Sequence, residues 1–75
     1  MCVLTEDYIK SKGYVETESG VFEKQLDRCI IKVIKNGAIY IPHVLNYEGT
    51  ILERDVKIDN VRDFEEYLSY IENKY

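Results

Sequence analysis

A chain of 75 residues buries only about 60% of its extended surface and cannot divide its apolar side chains between two cores, so residues 1–75 are read as a single domain. Its composition, 45% hydrophobic and 32% charged with a single proline, is that of a folded globule and excludes a disordered tail. Fourteen acidic against ten basic side chains leave a net charge of −4, which opposes approach to a phosphate backbone and favours association with a basic protein surface.

Residues 4–13 read as a short helix. Thr5 can cap it, Glu6 and Asp7 complement the dipole in the first turn, lysines fall in the last turn and Gly13 can end it, with Leu4, Tyr8 and Ile9 toward the core. Residues 14–18 alternate polar with apolar, Ser19-Gly20 supplies a turn, and residues 21–26 return as a second strand.

The strongest local signal follows. An apolar run at residues 29–35 meets Asn36-Gly37 and a second run at 38–41, and Asn-Gly suits the two positive-φ positions of a type I′ hairpin. That turn predicts Ile34 opposite Ile39, Lys32 opposite Ile41, Ile30 opposite His43 and Cys29 opposite Val44. Pro42 has no N–H to donate, so the returning strand must bulge there or turn that position to an edge. Residues 46–49 form a further turn and residues 50–58 a further strand. Asn60 then caps a last helix whose Val61, Phe64, Leu68, Ile71 and Tyr75 recur every three or four residues as one apolar stripe. The expected fold is therefore α+β: an N-terminal helix, an antiparallel meander of four to five strands, and a C-terminal helix packed on the sheet.

Chemistry has little to work with. His43 is the one histidine, and neither Cys2 nor Cys29 stands in a spacing that binds metal or builds a disulfide framework. The four glycines fall at a helix end and at turns, leaving no phosphate-binding loop. No catalytic, cofactor-binding or metal-binding residues are expected, and the chain is read as non-enzymatic. No apolar run reaches the ~20 residues of a membrane span, and residues 1–4 are too short for a signal peptide, so a cytoplasmic location without a membrane partner is expected.

Two surfaces remain as candidates for binding a protein partner. One is acidic with tyrosines: Glu48, Glu53 and Asp55, with Asp63, Glu66, Tyr67 and Tyr70 on the last helix, where carboxylates and aromatic anchors suit a basic partner. The other is apolar. Both faces of the central hairpin carry apolar residues, so helices on one side would leave Ile30, Ile34, Ile39 and Ile41 open to pair with a second copy. A third grouping, Lys24, Arg28, Lys32 and Lys35 with Tyr14 and Tyr40, has the residue types of a platform for single strands, but Glu16, Glu18 and Glu23 lie among them. Direct nucleic-acid binding is not expected.

The layout, short and rich in Asp, Glu and Tyr with a helix, a meander and a helix, resembles the small acidic anti-CRISPR proteins that phages encode. The resemblance spans the whole chain and implies a stoichiometric inhibitor that acts in the host cytoplasm, its acidic surface occupying the nucleic-acid groove of a bacterial defence nuclease. The alternative is a homodimerising accessory module that uses the apolar sheet face.

Overall fold

The computed structural model describes residues 2–75. In chain order it has helix α1 (Glu6–Ser11), strands β1 (Val15–Glu18), β2 (Val21–Gln25), β3 (Ile30–Asn36), β4 (Ile39–Leu45) and β5 (Ile51–Glu53), and helix α2 (Val61–Lys74). The strands form one antiparallel sheet in the order β1-β2-β3-β4-β5, so every strand lies beside its sequence neighbours. The α+β meander read from the sequence is the fold observed.

Local chemistry sets the helix ends. The Thr5 side chain accepts from the amide of Tyr8, and the amide of Gly13, at φ 92°, donates to the carbonyl of Lys10, which confines α1 to less than two turns. At α2, the Asn60 side chain accepts from the amide of Asp63 at 2.8 Å, and its own amide donates to the Asp63 carboxylate at 2.9 Å. The N-terminal segment is strapped to this helix start: the amide of Val61 donates to the carbonyl of Cys2, and that of Leu4 to the carbonyl of Asp59.

Both helices pack on the same face of the sheet. Ile9 of α1 and Phe64, Tyr67 and Ile71 of α2 share one buried cluster with Phe22, Ile31, Val33, Tyr40 and Val44 from the strands. Tyr14 joins it with its ring 6.0 Å from that of Phe64. Phe22, Phe64, Ile9, Val33 and Ile71 are fully shielded, and each such side chain contributes about 1.5–3 kcal/mol relative to an exposed one.

The central hairpin departs from the type I′ expectation. Its last ladder pair is Asn36 with Ile39, so the loop is Gly37-Ala38 and not Asn36-Gly37. Gly37 has φ 63°, and among the described residues Asp55 is the one non-glycine at positive φ, so Asn36 stays extended within β3. Glycine at the first of two loop positions is the type II′ arrangement, which asks for a left-handed backbone there alone. Moving the turn by one residue moves the register by two. Ile34 therefore faces Ile41, Lys32 faces His43 and Ile30 faces Leu45, while Val44 faces Ile31 and not Cys29. A two-residue slip preserves the alternation of faces, so the expected division into two apolar faces survives the correction.

The strand expected over residues 50–58 is interrupted. β5 ends at Glu53, Asp55 takes φ 74°, and the chain rejoins the sheet at Ile58, which exchanges both backbone hydrogen bonds with Tyr40 at 2.7 and 2.9 Å. Pro42 accounts for the gap. Because Tyr40 directs its backbone groups toward this edge, so does Pro42 two residues on, and a proline has no N–H to offer a neighbouring strand. β4 itself runs unbroken against β3, so of the two expectations for Pro42 the edge is the one realised.

Candidate functional site

The sheet has one covered and one open face. Along β3 and β4, Ile31, Val33, Tyr40, Pro42 and Val44 are buried, and the residues between them are half-buried and lie outside the cluster that the helices cover. The cross-strand register sorts the open face into three rows. Val21, Ile34 and Ile41 form one, with the exposed Glu18 at its β1 end, and Gln25, Ile30 and Leu45 another, extended at the edge by Ile51. Between them runs a polar row of Glu23, Lys32 and His43, with Val15, 65% exposed, at its end. The structure thus brings Ile30, Ile34, Ile39 and Ile41 together on one surface, Ile39 lying at the turn end. Val21 and Leu45 belong to that surface although sequence reading passed over them. The signal for Val21 was its place two residues before Glu23 on the neighbouring strand.

Glu23 and Lys32 sit directly opposite each other across β2 and β3, yet they do not form an ion pair. Among the described residues neither has an ion-pair partner, unlike Lys35, which donates to Glu6 at 2.7 Å, or Lys10, which lies 3.4 Å from Glu16. The first of these contacts holds the Lys35 ammonium above its ordinary range. The Glu16 carboxyl is lowered first by the Gly20 amide and then by Lys10.

The acidic and tyrosine residues are dispersed and engaged. Glu53 is the hub of a cluster at the end of α2: its Oε2 accepts from Tyr70 at 2.9 Å, Lys74 at 2.9 Å and Tyr75 at 3.0 Å, and these bonds, Lys74 foremost, hold its carboxyl below the usual range. Asp63 is committed to the α2 cap, Glu66 lies 3.3 Å from Arg62, and Asp55 lies 3.8 Å from Arg54. Glu48 is exposed in the turn after β4, whose Asn46 side chain accepts from the amides of Glu48 and Thr50. Tyr70 is 46% exposed, whereas Tyr67 is a core residue, since positions 64, 67 and 71 fall on one stripe of the helix. Of the seven residues, the structure joins Glu53 with Tyr70, sets the Tyr67 ring 6.1 Å from that of Tyr70, and leaves the other four apart.

Tyr14 and Tyr40, the aromatic members of the single-strand grouping, are both buried and offer no ring face for a base. Cys29 is buried ahead of β3, with its thiol pushed up by desolvation, and Cys2 is exposed. His43 lies on the open face, so no register pairs it with Cys29. Among the described residues, no three His, Cys, Asp or Glu side chains come close enough to hold a metal ion, and no helix is long and apolar enough to cross a membrane.

Compared with protein-family models, with curated proteins and with solved structures, the chain matches none.

Proposed function

We propose that this protein works by associating with another protein through the open face of its sheet, without chemistry of its own. One observation carries the reading. The helices cover one face of the five-stranded sheet, and the other carries apolar rows on either side of a narrow polar one. An antiparallel sheet with a solvated face ordinarily shows polar residues there, and contiguous exposed apolar surface marks an interaction site. Most of the carboxylates of the acidic surface already have hydrogen-bonding or charged partners within the chain, which reduces what they offer a basic groove. Two free thiols suit a reducing compartment such as the cytoplasm.

The test is affinity capture of the tagged chain from its native cells, repeated with Ile34→Glu. That substitution puts a charge into an apolar row of the open face, on the central strand, and leaves the covered core untouched. The partner, whether another protein or untagged copies of this chain, should be held in high salt by the native chain and weakened at least about tenfold by the variant. An undiminished partner on a folded Ile34→Glu variant overturns the proposal. So does a partner lost instead in moderate salt and on Glu48→Gln with Asp55→Asn, which is the behaviour of an acidic inhibitor of a nucleic-acid-binding protein.

A further inference from the structure

We infer that the occupant of the open face is a second copy of this chain, packed sheet against sheet about a two-fold axis that runs along the strands between β2 and β3. The inference rests on the reading above and adds the identity of the partner. Its first support is charge. The polar row carries one acid and one base of opposite sign on adjacent strands, Glu23 and Lys32, and neither is in an ion pair among the described residues. This central pair is complementary to itself under a two-fold operation, because each Glu23 then meets the other copy's Lys32, while a further acid of the face, Glu18, lies at its β1 rim.

The position of the axis follows from the same row. An axis along β3, or one crossing the strands through the polar row, would set Lys32 against Lys32 of the second copy. An axis between β2 and β3 exchanges those two strands, so Glu23 meets Lys32 twice, Val21 meets Ile34 twice and Gln25 meets Ile30 twice. The twist of each sheet allows such faces to stack about 10 Å apart with strands within roughly 30° of one another.

The second support is area. About an axis between β2 and β3, strands β1 to β4 of one copy overlap β4 to β1 of the other and β5 overhangs, so four strands ~4.8 Å apart, the central ones with seven residues rising ~3.3 Å each, give an overlap of roughly 19 by 23 Å. Two such faces bury on the order of 900 Å², at the low end of specific interfaces and in the range of a weak, reversible dimer. Such a dimer takes the apolar residues of β2, β3 and β4 out of water and leaves Ile51 on β5 at its rim.

Charge reversal with mixing tests the inference. The native chain should sediment at twice its 8.9 kDa monomer mass. Glu23→Lys alone and Lys32→Glu alone each give a central row of a single sign and should sediment as monomers, with circular dichroism confirming that both remain folded. Mixing the two variants should restore the doubled mass, because every charge then meets its opposite across the interface; repair within one chain cannot produce that result. A native chain that stays monomeric at high concentration overturns the inference while leaving the open face available to a different protein, which the Ile34→Glu capture reads separately. A native dimer that Ile34→Glu leaves intact overturns both readings. A native dimer that Ile34→Glu dissociates but mixing does not restore overturns the proposed facing of Glu23 and Lys32.

Discussion

Replacing Tyr67 with phenylalanine should make this protein more stable. Tyr67 is 9% exposed, and its hydroxyl is buried without a hydrogen-bond partner. An unpartnered buried hydroxyl costs about 1–3 kcal/mol, while phenylalanine keeps the ring that lies 6.1 Å from Tyr70, so a gain of roughly 1 kcal/mol is expected. With an unfolding entropy of about 2.1 cal/mol/K per residue, 75 residues give ~0.16 kcal/mol/K, and the midpoint should rise by about 6 °C. The hydroxyl also leaves a signature in pH. Burial first, and then the nearby Glu53 carboxylate, push its ionisation up to about 12 from the ordinary 10.0. A group raised in this way contributes stability that is complete below pH 10 and is lost as pH rises toward the folded value, where the unfolded chain has already given up the proton. The variant has no such proton and should lose less stability between pH 10 and 12, although Tyr14, raised by burial and by Glu72, retains part of the decline. Thermal and urea melts at pH 7 and pH 11 provide the measurement. A Tyr67→Phe variant that melts at or below the native temperature at pH 7, with an unchanged alkaline decline, would show that the hydroxyl is satisfied and refute the argument.

Two further outcomes follow from the geometry. Glu53→Gln should cost roughly 1 kcal/mol at neutral pH, because it removes the charge from bonds to Lys74, Tyr70 and Tyr75 at a partly exposed site. Since the folded Glu53 carboxyl lies below its ordinary 4.5, its contribution is present above that value and fades as pH falls through the lower one, so urea melts at successively lower pH should draw native and variant chains together. A thiol reagent should label Cys2 promptly and Cys29 only after denaturant is added, because burial leaves the Cys29 thiol both inaccessible and protonated; two equal rates would contradict this placement.

Elements whose boundaries rest on capping chemistry were legible in the sequence. Thr5 and Asn60 cap the two helices because their side chains reach an amide three residues on, a contact internal to a few residues. The central turn was read one residue too early, since Asn-Gly suits a type I′ loop and Gly-Ala a type II′ loop, and local preference does not choose between them. The expected strand at residues 50–58 failed at its middle because Pro42, far along the chain, leaves no donor on that side.

The same division separates the two candidate surfaces. Alternation by two along β3 and β4 was enough to establish that both faces of the hairpin are apolar, because side-chain direction in a strand depends on parity alone. Whether that second face stayed open depended on where α1 and α2 came to rest, and their shared core with Phe22, Ile31 and Val44 puts both on one side. Tyr67 passed from a candidate anchor into the core, and Glu53 became the hub of three bonds, through contacts between α2 and a strand edge distant along the chain. Composition and period determined which residues are candidates for a surface site; packing between remote segments decided which of them water can reach.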